Sequence, residues 1–76
     1  MKDILQTIIL NLVDKKEEVE VKELDGEKSI IFEVKVAEGD MGKIIGKQGR
    51  LAKSIRTVIK AVANKEQKRV SVEFIG

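Results

Sequence analysis

The strongest constraint on the fold is a change of period along the chain. Ile30, Phe32, Val34 and Val36 recur at every second position in a run from about Lys28 to Ala37, with Glu33 and Lys35 between them, the pattern of a strand with one buried face. Val70, Val72 and Phe74 alternate with Ser71 and Glu73 in the same way near the end of the chain. Between these two runs the apolar spacing becomes helical. The strands are therefore joined by a crossover, which sets them parallel and, as a rule, right-handed. The earlier run is the longer and more apolar, which assigns it to the middle of the sheet.

The remaining elements follow from the same test. From Asp3 to about Asp14, the residues Ile4, Leu5, Ile8, Ile9, Leu12 and Val13 fall at three- and four-residue spacing, which predicts an amphipathic helix. Lys15 to Glu18 reads as a solvated connector. Val19 and Val21 alternate with Glu20 and Lys22, and Asp25-Gly26 predicts a two-residue hairpin turn with positive φ that returns the chain antiparallel into the central strand. Within the crossover, Asp40 is placed to cap a short helix over Met41 to Ile45, which Gly46 stops. After Gly49, a second helix of about fourteen residues carries Leu51, Ile55, Val58, Ile59 and Val62 on one stripe, with Lys53 and Lys60 opposite and Asn64 as its stop. The order α-β-β-α-α-β predicts an α+β domain over 1–76, a three-stranded mixed sheet covered on one face by three helices. No internal repeat, linker or low-complexity tract divides it.

Charge is distributed unevenly along this frame. Residues 1 to 40 hold six Lys/Arg and eleven Asp/Glu, giving −5, whereas residues 41 to 69 hold nine Lys/Arg against Glu66 alone, giving +8. Glu73 brings the total to the net +2. A basic segment joined to an acidic one is the footprint of a polyanion binder. The chain has no cysteine and no histidine, which removes thiolate nucleophiles, imidazole bases and the usual zinc ligands. No metal, cofactor or catalytic centre is expected. The opening Met1-Lys2-Asp3-Ile4-Leu5 is charged early, and Gln6, Thr7 and Asn11 interrupt the apolar residues after it, so neither a secretory segment nor a membrane span is predicted. A cytoplasmic location is the default.

The unusual chemistry lies in Lys43-Ile44-Ile45-Gly46-Lys47-Gln48-Gly49-Arg50. Two glycines flank two polar residues between predicted helices, so the backbone is free to form a tight turn that a phosphate can approach. The start of the second helix would add unpaired N–H groups and the positive end of its dipole. A turn that merely reverses the chain is the alternative. The spacing does not fit a dinucleotide or Walker-type loop, because Gly46-Lys47 is followed by Gln48.

This run, continued by Ala52-Lys53-Ser54-Ile55-Arg56-Thr57-Val58, resembles the signature of KH domains, whose G-x-x-G loop clamps the backbone of about four nucleotides. The element order resembles the type II arrangement. The length and N-terminal helix look like the small single-KH bacterial family called KhpA or YlqC. The resemblance implies that Gly46 and Gly49 meet the sugar-phosphate chain, that Lys47 and Gln48 point outward to phosphates, and that Arg50, Lys53 and Lys43 add charge at the rim. It also implies that one of Ile44 and Ile45 floors a shallow apolar groove while the other packs inward; the sequence does not say which. The only aromatics, Phe32 and Phe74, sit on inward strand faces, so base stacking contributes little.

The expected function is a non-enzymatic RNA-binding module for short single-stranded segments, acting in post-transcriptional regulation as an RNA chaperone-like protein. A single groove with few stacking groups binds weakly, so a second module is expected, through a homodimer or a heterodimer with a larger KhpB/Jag-like KH protein, as the resemblance implies. A protein-interaction module and a single-stranded DNA binder are the alternatives that use the same surface.

Overall fold

The computed structural model describes residues 1–75, except for the side chain of Lys47. Its elements run α1 (Lys2–Leu12), a single 3-10 turn (Lys16–Glu18), β1 (Glu20–Asp25), β2 (Ser29–Lys35), α2 (Glu38–Lys65) and β3 (Arg69–Ile75). The sheet order is β1-β2-β3, with β1 antiparallel and β3 parallel to the central β2. This is an α+β, type II KH arrangement, and the middle strand is the one whose alternation was longest.

Register explains which strand residues are buried. Phe32 lies opposite Glu23 on one side and Val72 on the other, and Val34 lies opposite Val21 and Phe74. Because side chains alternate across a sheet, Ile30, Phe32 and Val34 share the helix-covered face with Val70, Val72 and Phe74. Ile31 and Leu24 pair on the opposite face, where both are exposed. The core joins Ile30, Phe32, Val34 and Val72 of the sheet to Leu5 and Ile9 of α1 and to Ile44, Ala52, Ile55 and Ile59 of α2.

Five local expectations need correction. The hairpin loop is Glu27-Lys28, flanked by Gly26 and Ser29, whose backbone groups bond at 2.7 Å. Positive φ among the described residues occurs only at Gln48, Gly49 and Gln67, so Asp25-Gly26 does not form the predicted turn. α2 begins earlier, at Glu38 with Ala37 as an extended N-cap, and Asp40 caps nothing there. Its carboxylate has a stronger claim elsewhere, on the backbone of residues 14 and 15.

Gly46 also fails to stop the first helix. Helical turns overlap from Glu38 to Lys65, and the disruption falls two residues later, where Gln48 and Gly49 take φ of 64° and 71°. Left-handed residues cannot continue a right-handed helix, so α2 consists of two arms joined at that pair. The buried stripe of the second arm is Ala52, Ile55, Ile59 and Ala63, while Leu51 and Val58 are exposed. Small alanines let this face approach the sheet, which turns the larger Leu51 and Val58 to its margin. The helix ends not at Asn64 but in a Schellman motif. Gln67 takes the left-handed position (φ 57°), its N–H bonds the Asn64 carbonyl at 3.1 Å, and the Lys68 N–H bonds that of Ala63 at 3.0 Å.

Phe32 is fully buried at the centre of the sheet. Truncation of such a residue costs about 3–5 kcal/mol, against a total of about 4–11 kcal/mol for a domain of this size. Phe32→Ala is expected to lower the urea midpoint by about a quarter or more, with a far-ultraviolet spectrum that is native-like only at low denaturant.

Candidate nucleic-acid interface

The left-handed pair is the geometric centre of the candidate site. Gln48 is exposed and holds φ of 64° without being glycine, a backbone that costs roughly 1–2 kcal/mol for an L-residue. Gly49, at 71°, adopts the same region at no such cost. A Cβ built on Gly46 would meet nothing within 4 Å, so the backbone of the turn faces open space on its outer side. The turn does not, however, offer the open helix N-terminus expected at Gly49, because helical turns overlap through it. What it offers is a left-handed break in the helical backbone beside a groove.

That groove, of about 530 Å³, is lined by Gly42, Lys43, Gly46, Arg50, Leu51 and Ser54. It therefore brings together three of the predicted site residues, Lys43, Gly46 and Arg50. Ile44 and Ile45 resolve into opposite roles. Ile44 is 1% exposed and belongs to the core, and Ile45 is 49% exposed beside the turn. Ile44 is thus a support under the site rather than a contact surface. Lys53 is exposed on the second arm, outside the groove lining. The outward orientation expected of the Lys47 side chain lies outside the described residues.

Lys43 lines the groove but is already paired. Its ammonium bonds the Asp14 carboxylate and lies 3.9 Å from Asp40 Oδ1. Hydrogen bonding to Asp14 raises the Lys43 pKa above its ordinary 10.5; partial desolvation opposes this, and the charges of Asp14 and Asp40 add to it. Asp40 itself is 3% exposed. Its two oxygens accept the backbone N–H groups of Asp14 and Lys15, each at 3.0 Å. Those two bonds hold its carboxyl below the ordinary 3.8, against burial, with Lys43 and Lys15 helping. The chain leaving α1 is thereby tied to the first turn of α2.

Arg56 was not singled out by sequence. Its Nε donates to the Val72 carbonyl oxygen at 3.0 Å, and its guanidinium lies 5.5 Å from the centre of the Phe74 ring. It borders a separate cleft of about 340 Å³ along the outer edge of β3. At 100° per residue, Leu51 and Lys60 lie on opposite flanks of the second arm, so this cleft and the groove beside the turn are distinct surfaces. Only the cluster of arginines and lysines in 41 to 69 hinted at Arg56, and nothing in that cluster distinguished a tied cation from a free one. Among the described residues, no group of three or more acidic side chains is placed to hold a metal ion, and no helix is long and apolar enough to cross a membrane.

The family described as KhpA/KhpB, KH domain matches residues 2–74, covering the sheet, both helices and the turn. The chain belongs to the KhpA/KhpB KH-domain family. Among KhpA relatives, the RNA-binding protein KhpA of Clostridium acetobutylicum is 65% identical over 75 residues, 99% of this chain and 100% of that one. The protein of the same name from Clostridium perfringens is 60% identical over the same shares. That of Aquifex aeolicus is 43% identical, over 99% of this chain and 95% of its own. These KhpA relatives are named for binding rather than for catalysis. No solved structure matches the chain.

Asp40 gives the site a pH signature. Because its pKa is lowered on folding, the unfolded chain binds more protons near and below pH 4, and stability falls as pH drops through the folded value. Asp40→Ala is expected to lower the melting temperature at pH 7 by about 5–10 °C, since two part-buried N–H groups lose their acceptor. It should also flatten the fall in melting temperature between pH 5 and pH 3 (roughly the carboxylate range), as read by circular dichroism across a pH series.

Proposed function

We propose that this chain is a non-enzymatic, cytoplasmic RNA-binding module that grips a short single-stranded segment by its backbone at Gly46 to Gly49. The observation that carries this reading is the left-handed pair Gln48-Gly49, set beside the open side of Gly46 and a groove edged by Lys43 and Arg50. Such a turn lets a sugar-phosphate chain approach the protein backbone more closely than side chains would permit. Relatives named as RNA-binding proteins support RNA as the ligand. Lys47 and Gln48 contact phosphates, and Ile45 and Leu51, both exposed near the turn, provide the apolar part of the surface for bases. Both aromatic rings contribute to the sheet, Phe32 fully buried and Phe74 half-buried under Arg56, so stacking adds little and a single site binds weakly. A second copy or a larger KhpB-type KH protein supplies the linkage that raises avidity, in post-transcriptional control of the RNA chaperone kind. The exposed Leu51 and Val58 margin favours a protein-docking role as the second reading.

The test is a paired substitution at the turn. Lys47→Asp with Gln48→Asp is expected to weaken binding of a single-stranded RNA octamer at least tenfold while the circular dichroism spectrum stays native. An unchanged affinity in the folded double variant would remove the reading. Wild-type affinity should fall with salt at about 0.7 log units per log unit of salt for each phosphate engaged, with few phosphates involved. Gly46→Ala separates stability from binding. Its Cβ enters open space within a helix, so stability holds or rises slightly, yet the added methyl keeps a nucleic-acid backbone at a distance and lowers affinity. Parallel titration with the DNA octamer of the same sequence reads the contribution of the 2′-hydroxyl.

A further inference from the structure

Lys43 lies on the boundary between two surfaces of opposite character. On one side is the groove it shares with Gly42, Gly46, Arg50, Leu51 and Ser54. On the other is a cleft of about 600 Å³ whose walls include four carboxylates, Asp14, Glu18, Glu38 and Asp40. Its ammonium is turned toward the second, bonded to Asp14.

The position of Asp14 is imposed from within the fold. Asp40 is buried in the first turn of α2 and accepts the N–H groups of residues 14 and 15 at 3.0 Å each. These two bonds fix the backbone that leaves α1, and they place the Asp14 side chain across from Lys43, twenty-nine positions further along the chain. The Asp14 carboxylate has no other hydrogen-bond or ion-pair partner among the described residues. It contributes nothing to the core, since its side chain is largely exposed. Its one visible task is to occupy Lys43. Nearby, Lys15 is similarly engaged with Glu18 at 4.0 Å.

An ammonium is a compact point charge. A carboxylate oxygen bonded to it takes the place that a phosphate oxygen would take. We propose that Asp14 is an intramolecular competitor for the phosphate that Lys43 would otherwise bind, and that it thereby limits the affinity of the clamp. The inference rests on the RNA-binding reading above. A strand entering the groove either draws Lys43 away from Asp14 or meets an ammonium whose charge is already balanced and one of whose three donors is taken, and in both cases the chain binds more weakly than its cations alone would allow. The ion pair is exposed and therefore weak, so the exchange is reversible and the limit is modest.

A double-mutant cycle on the full chain tests this, with a single-stranded RNA octamer followed by fluorescence anisotropy at several salt concentrations. Asp14→Asn keeps the backbone N–H that Asp40 uses, and its melting temperature is expected to remain close to that of the wild type. It should bind the octamer about two- to fivefold more tightly, the range an exposed pair can withhold. The salt dependence should steepen by about 0.7, as one more phosphate contact releases one more ion. On a Lys43→Gln background the same Asp14→Asn change should bring no gain, because the cation it frees is absent. An equal gain on both backgrounds would mean that removal of a negative charge acts at a distance, and would overturn the proposal; so would a wild-type background gain of zero or a loss. A wild-type chain that binds no octamer overturns the RNA-binding reading and this inference with it, whereas normal wild-type binding without the Lys43-dependent gain overturns the inference alone.

Discussion

A single buried carboxylate ties the exit of the first helix to the entry of the second. Asp40 takes its place in the first turn of α2 and is satisfied by the backbone of residues 14 and 15 rather than by the helix that contains it. Burial of an ionised group is tolerable only when its lone pairs are met by donors, and here two N–H groups at 3.0 Å meet them. The consequence extends well beyond local stability. The exit of α1, the entry to the long helix and the acid that faces Lys43 are all fixed by the same two bonds.

From that anchor the site follows by geometry. The first arm of α2 packs Met41 and Ile44 into the core, which leaves Ile45, Gly46 and the left-handed pair on the outside. The second arm packs through Ala52, Ile55 and Ile59, and its small-residue face brings it close to the sheet. Between the arms there is room for a groove, and the two residues that break the helix sit where the backbone is most open. The residues proposed to bind are thus carried by a helix with a left-handed break in it rather than by a long loop. The KhpA/KhpB family relationship extends across nearly the whole chain, as expected when every element contributes either to the core or to the placement of that fault.

Much of this was legible from spacing. The alternation at Ile30 to Val36 and at Val70 to Phe74 located both parallel strands, and the G-x-x-G run located the turn, because period and glycine placement are local properties of the chain. Three features were not legible. Asp40 has the composition of a cap but the surroundings of a tether, and no local pattern separates the two. Lys43 and Arg56 look like any other cations in a basic segment until their partners Asp14, Val72 and Phe74 are seen, since those partners lie 29, 16 and 18 positions away. Leu51 and Val58 count as core by spacing alone, whereas in the fold the face that carries Ala52, Ile55, Ile59 and Ala63 is the buried one and both lie outside it.

By itself, then, the sequence determined the element types, the parallel crossover, the central strand and the glycine-bracketed stretch within which the helix is interrupted, all of which depend on residues close together along the chain. Tertiary structure decided which of two adjacent isoleucines faces solvent, which cations are free and which are already bound, and where the helix actually breaks. Those outcomes depend on burial and on charge pairs that form only when distant segments meet. Their energies are small beside the hydrophobic periodicity that sets the fold, and they leave no regular mark in the order of residues.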